Sequence, residues 1–248
     1  MSTRVCASVV GMIVACGTAC ADTVDVTYLG TGPGQNLAYT FFGSGTTRHL
    51  GQLRVNFSNG TGSLGSQLTG MYNVFCVEPN EDPGNAEYGV IQPEVLPFMA
   101  PSDAKGFSRA DAARAMFAEY GAQALDSNVS NAFAAAFNIA LWEVIFDYDP
   151  TEPDDNVDIF SGNIAFVQAA LSQQIVDLVD QFIAAIDLGG DSDILGLINE
   201  PAGGGDDTQD LLTSCADGVC DMTSVPLPTT AGLGLVGLGL IGTRRRRA

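Results

Sequence analysis

The chain has 248 residues, with 29 acidic residues against 10 lysines and arginines, a formal charge of −19, and a hydrophobic share of 46%. Every acidic residue lies between Asp22 and Asp221, while Arg4 and Arg244–Arg247 lie at the two ends, so the body keeps only Arg48, Arg54, Lys105, Arg109 and Arg114 as cations. A surface this acidic repels phosphate backbones and anionic bilayers, which argues against nucleic acid as a partner.

The first 21 residues read as a signal peptide. Arg4 supplies the positive charge, Val5 to Val14 is a short apolar run, and Ala19-Cys20-Ala21 is a small-residue cleavage site before Asp22. Ile13-Val14-Ala15-Cys16 also has the form of a lipobox, which would place a lipid on Cys16, but cleavage after Ala21 leaves a more ordinary apolar run. Sec-type export machinery and a signal peptidase are the partners such a leader implies. Export puts the body in an oxidising compartment. Cleavage removes Cys6, Cys16 and Cys20 and leaves Cys76, Cys215 and Cys220. The last two flank a four-residue loop with a glycine and suit a local disulfide, so Cys76 is the odd thiol, either buried and inert or chemically used.

In chain order, 22–30 alternates Val24, Val26 and Tyr28 as a strand, 31–35 (TGPGQ) reads as a turn, and 36–42 reads as a second strand. A loop at 43–47 leads to a third strand at 50–57, and Asn59-Gly60-Thr61-Gly62 signals a turn. A fourth strand covers 71–78, with Tyr72, Val74 and Cys76 on one face. The character then changes. Ser108-Arg-Ala-Asp111 has the form of a capping box and opens a helix that the pattern ends at Gly121.

The segment 129–146 (VSNAFAAAFNIALWEVIF) is apolar on nearly every face, as a buried central helix must be. It carries Asn138 and Trp142, the only tryptophan, one turn apart on one face, and Glu143, which is expected to pair or cap. A buried amide needs a partner. Residues 147–158 (DYDPTEPDDNVD) form an acidic loop. A solvated loop is its plain reading, and Asp147, Asp149, Asp154, Asp155 and Asp158 are the candidates if it takes calcium, although it lacks the glycine and terminal glutamate of an EF-hand. An amphipathic helix is expected over 163–186, a short helix over 191–197, and a flexible linker over 203–224. Strands followed by helices argue for an α+β body, 22–202, in which N-terminal antiparallel strands pack on a C-terminal helical half around the buried helix 129–146.

The tail, 225–248, has three parts: Val225-Pro226-Leu227-Pro228, the apolar run 231–242, and the block Arg244, Arg245, Arg246, Arg247. As a short C-terminal helix the run spans about 18 Å, less than the roughly 30 Å of a bilayer core, and the terminal arginines favour the cytoplasmic side. This tripartite tail resembles the PEP-CTERM sorting signal, with Leu227 where that family has glutamate. The resemblance implies an exported protein, transiently anchored in the membrane and processed by an exosortase-type protease, at the cell envelope, cell surface or outside.

The body carries a second resemblance. Phe75-Cys76-Val77-Glu78 and, later, Phe137-Asn138-Ile139-Ala140-Leu141-Trp142-Glu143 resemble the thioester domain of bacterial surface proteins, in which a strand cysteine and a helix glutamine in a Gln-x-Ala-Ile-Trp motif join as an internal thioester. Cys76 matches the cysteine, and Asn138 stands where the glutamine would, so the resemblance makes Cys76 the expected neighbour of Asn138. Asparagine is one methylene shorter, about 1.5 Å of reach, so the resemblance implies the fold with a degenerate centre. The function this points to is non-enzymatic: a surface or matrix protein used in adhesion or in contact with envelope or exopolysaccharide. Two further readings stay open. One is a calcium-dependent carbohydrate-binding module using the acidic loop. The other is a cysteine hydrolase pairing Cys76 with His49, the only histidine, which at a strand start is otherwise expected to be exposed.

Overall fold

The computed structural model describes residues 22–99, 108–149, 157–199 and 208–214, all within one unit, Ala21–Val225. The signal peptide, the Cys215–Cys220 pair, the sorting tail, Asp154 and Asp155 therefore lie outside the described residues. The described residues form a mixed α+β body of seven strands and four α-helices.

Two long strands begin it: β1 (Thr23–Phe41) and β2 (Ser44–Thr61), paired antiparallel. The turn between them has positive φ at Phe42 (45°) and Gly43 (79°), the backbone handedness that matches strand twist in a two-residue hairpin. The expected turn at 31–35 is not one. The chain runs straight through it as part of β1, and the pairing with β2 slips out of register between Thr31 and Gly34. Glycines and a proline in an otherwise extended run mark a bulge as well as a turn, and Pro33 has no N–H to lose where the ladder is broken.

After β2 come the short helix α1 (Gly62–Gly65) and then β3 (Gly70–Cys76) and β4 (Ala86–Ile91). Near the C-terminus stand β5 (Ile164–Phe166), β6 (Ile194–Ile198) and β7 (Leu211–Ser214). The sheet order is β2-β3-β7-β6-β4-β1-β5, and β2 also pairs with β1. That extra pairing closes six strands, β1-β2-β3-β7-β6-β4, into an antiparallel barrel, with β5 attached to the far end of β1. Two expectations are corrected here. Residues 191–197 hold a strand, β6, because a short apolar run buried on both faces has no period to separate it from a helix. The segment 203–224, expected to be linker, contains β7, which sits between β3 and β6 and completes the ring. Two leucines in polar surroundings are too short a run to signal a strand.

The helices are α2 (Arg109–Ala124), α3 (Asn131–Phe146) and α4 (Gln173–Leu188). The capping box at Ser108 and Asp111 forms as the sequence predicts, but α2 runs through Gly121 to Ala124, where Gln52 of β2 donates from Nε2 to the carbonyls of Ala124 (2.6 Å) and Asp126 (2.9 Å). The helix expected from 163 begins ten residues later. Residues 164–166 pair with Tyr39–Phe41, and Ser172 caps α4 by accepting from the Ile175 N–H. α3 is the central helix: every residue from Phe133 to Phe146 is buried. Leu50, Gly51, Gln52 and Leu53 of β2 are buried in an unbroken run, as a strand with both faces covered must be.

If β7 is a barrel strand and not linker, Leu212→Ala should lower unfolding free energy by about 2–5 kcal/mol in urea denaturation, the range for buried leucine truncations. A residue in a solvated linker would change it by no more than about 0.5 kcal/mol.

Candidate functional site

The site forms where α3 crosses the bulged part of the β1–β2 hairpin and the end of β3. A buried carboxamide needs hydrogen-bond partners, and on α3 backbone groups supply them. Asn131 and Asn138, seven residues apart, and Trp142, four further on, share one face. Asn131 Oδ1 accepts from the Gly34 N–H (3.3 Å), and Asn138 Oδ1 accepts from the Gly51 N–H (3.0 Å). Both donors lie at the bulge. Gly51 has φ of 139°, and a Cβ there would collide with the Pro33 carbonyl oxygen, so the position requires glycine.

The other end of the Asn138 carboxamide, Nδ2, donates to the Cys76 carbonyl (3.3 Å), and Trp142 Nε1 donates to the same oxygen (2.8 Å). Tyr39 sets its ring against the Trp142 indole at 5.2 Å between centroids and 65° between planes, and its hydroxyl donates to the Pro79 carbonyl (2.7 Å). The Cys76 thiol points to Asn138 Oδ1 at 3.9 Å. The structure therefore brings together Cys76 and Asn138, and Gly51 and Asn131 join them. Neither of these was marked in the sequence. The Asn131/Asn138/Trp142 spacing is a signal that could have marked Asn131, whereas Gly51 is visible only once its partner strand is known.

Cys76 is a free, buried cysteine, and burial pushes its thiol up to about 12, so it is protonated at neutral pH. It lines a cavity of about 360 Å³ together with His49, Arg48, Tyr28 and Gln209. His49 is not the exposed residue expected. It is half-buried, its Nε2 has no hydrogen-bond partner, and burial lowers its pKa. Arg48 at the same cavity is held by an ion pair to Asp82 and a bond to the Asn80 carbonyl (3.2 Å).

Glu143 neither pairs nor caps. It is fully buried, and neither carboxyl oxygen has a partner. Burial first, and then the charges of Asp147 and Asp158, push its carboxyl up to about 9, so it is neutral at pH 7. Two of the calcium candidates, Asp147 and Asp158, are used locally. Asp147 accepts the N–H groups of Asn163 (2.7 Å) and Ile164 (2.9 Å), and Asp158 accepts from Phe160 N–H (3.0 Å) and the Ser161 hydroxyl (2.8 Å). Asp149 lies at the edge of the described residues. Among the described residues, no three His, Cys, Asp or Glu side chains are gathered as a metal ion requires.

The comparisons with known proteins bear on the tail. Residues 224–247 match the family model of the PEP-CTERM protein-sorting motif. That motif fits an exported protein processed at a C-terminal sorting signal, and it implies an exosortase as the processing protease. No curated protein matches the chain, and no solved structure does, so the thioester-domain resemblance of the body has no homologue behind it. Among the described residues, no helix is long and apolar enough to cross a membrane.

Two measurements test this geometry. Asn138→Ala leaves the buried Gly51 N–H unsatisfied and should cost about 1–3 kcal/mol in denaturant unfolding, with Asn138→Asp failing to restore it. Glu143 holds its proton in the fold and loses it in the unfolded chain above the ordinary value of 4.5. Its contribution is thus fully present below that pH and fades as pH rises to about 9, by up to about 1.4 kcal/mol per pH unit. The urea midpoint of the native protein should fall across that window, and Glu143→Gln should flatten the decline.

Proposed function

We propose that the protein is a non-enzymatic component of the cell surface or extracellular matrix, built on a thioester-domain-like body whose centre works as a non-covalent clasp. The observation that carries the export half is the sorting motif at 224–247. The observation that supports the clasp is that Asn138 spends both ends of its carboxamide on backbone groups, Gly51 N–H and the Cys76 carbonyl, beside a protonated thiol. In this reading the body contributes adhesion or contact with envelope polysaccharide, and the Cys76–Asn138 pair pins β3 to α3. The divisions that go with it are a leader at 1–21, a body that runs on through β7, and a sorting tail at 225–248.

A second reading draws on one observation. Cys76 and His49 line the same cavity, as a cysteine hydrolase would need. Against it stands the chemistry of the thiol, which burial keeps in the un-ionised form that is a poor nucleophile.

The test is the intact mass of the exported protein with and without methylamine, followed by alkylation. The clasp predicts no loss of ammonia, no methylamine adduct, and alkylation of Cys76 only after unfolding. A mass low by one ammonia, restored by methylamine addition, would replace the clasp with a working thioester. Rapid alkylation of native Cys76, abolished in His49→Ala, would favour the hydrolase. The same spectrum reads the export half: the mature mass should lack the leader and the arginine block.

A further inference from the structure

His49 is the only histidine of the chain, and it stands beside the bulge of the β1–β2 hairpin, opposite Asn36. Its ring packs on Gly34: a Cβ added there would lie 2.6 Å from both Cε1 and Nε2. Gly34 gives its N–H to Asn131, and its strand partner Gly51 gives its N–H to Asn138. The imidazole thus touches the stretch of hairpin that is fastened to α3. Its Nε2 is buried and has no hydrogen-bond partner. A neutral ring tolerates that at the loss of one hydrogen bond. An imidazolium would bring a charge and a second N–H to a place where it meets glycine carbon.

The groups around His49 do not prepare a site for that charge. Across the cavity they share stand Tyr28 from β1, Arg48 from β2, Cys76 from β3, and Glu81 and Asp82 from the loop after β3, while α3 meets the bulge through the uncharged Asn131. Asp82 is taken by Arg48, itself a cation and the neighbouring residue. Tyr28 and Cys76 are both pushed up by burial and stay neutral at pH 7. Burial holds the imidazole below its ordinary 6.5, and the opposing pull comes from the Gln52 backbone, not from a carboxylate.

We propose that the bulge is an acid-released catch: protonation of His49 lifts the hairpin off α3, breaks the Asn131–Gly34 and Asn138–Gly51 bonds, and uncovers the Cys76 thiol. The sign follows from the two states. His49 favours the closed form fully above 6.5, its value when solvated, and that contribution is lost as pH falls through the lower value it has when closed. One proton raises the opening constant by up to about tenfold per pH unit. Glu143 acts in the opposite direction over the same range, because it keeps its proton in the fold. Global unfolding mixes the two, so the readout has to be local. The proposal rests on the clasp reading, and the two fail separately. A native Cys76 that reacts readily at neutral pH ends the clasp, whereas one that acid does not accelerate ends the catch alone.

The test labels the full mature protein with 4,4′-dithiodipyridine, a disulfide that exchanges with thiols in acid, from about pH 7 down to about pH 5. Labelled Cys76 is located by peptide mass, and each rate is divided by that of the urea-unfolded chain. Proton NMR follows the single imidazole of the native protein over the same range. The resonance should titrate below 6.5. Labelling of Cys76 should accelerate below that pH and level off where the native imidazole titrates, with a total gain of about tenfold for each unit between the two. His49→Gln should abolish the acceleration. A native imidazole that titrates at or above 6.5 overturns the proposal, as does labelling that acid leaves unchanged or an acceleration that persists in His49→Gln. Should that variant fail to fold, the match between the labelling plateau and the NMR midpoint in the native protein decides it.

Discussion

Everything near the centre of the molecule depends on one requirement: an amide buried on a helix covered on all sides still has to meet groups that can satisfy it. α3 meets this with backbone alone. Buried Asn138 takes the N–H of Gly51 and shares the Cys76 carbonyl with Trp142, and Asn131, at the exposed start of the helix, takes the N–H of Gly34. Those groups are presented because the β1–β2 pairing slips at Thr31–Gly34 and because Gly51 adopts a backbone closed to other residues. The bulge, the glycine and the two asparagines form one device, and the thiol of Cys76 sits inside it.

The contrast with Glu143 is instructive. It lies one residue from Trp142 on the same helix, yet it finds no partner and gives up its charge instead. A buried carboxyl can neutralise itself by holding a proton, whereas a carboxamide cannot escape its need for a donor and an acceptor. That difference explains why Asn138 and Glu143, on one helix, live in such unlike surroundings.

Much of this was legible in the sequence, for identifiable reasons. The long, strongly apolar α3 and the capped start of α2 each follow from periodicity and capping chemistry. The Cys76–Asn138 contact was implied by the thioester-domain resemblance, and the need of a buried amide for partners agrees with it. The bulge was read as a turn because glycine and proline mark both. β6 and β7 were missed because a short strand buried on both faces has neither alternation nor length, and its partners lie far away in sequence. Gly51 has a further obscurity: its importance comes from what another segment brings to it, a helix amide.

The placement of β7 carries a consequence for how such a chain becomes a folded object. Its partner Phe75 pairs with Leu212, so the ring cannot close until almost all of the body has been made. A chain threaded outward from its N-terminus would cross the membrane as an open, unfinished sheet, with β3 and β6 offering unsatisfied edges until residues 211–214 follow. Late closure of this kind is slow, because distant segments must meet before any contact rewards them. The last strand of the barrel acts as a latch that is delivered with the end of the cargo, shortly before the sorting motif at 224–247.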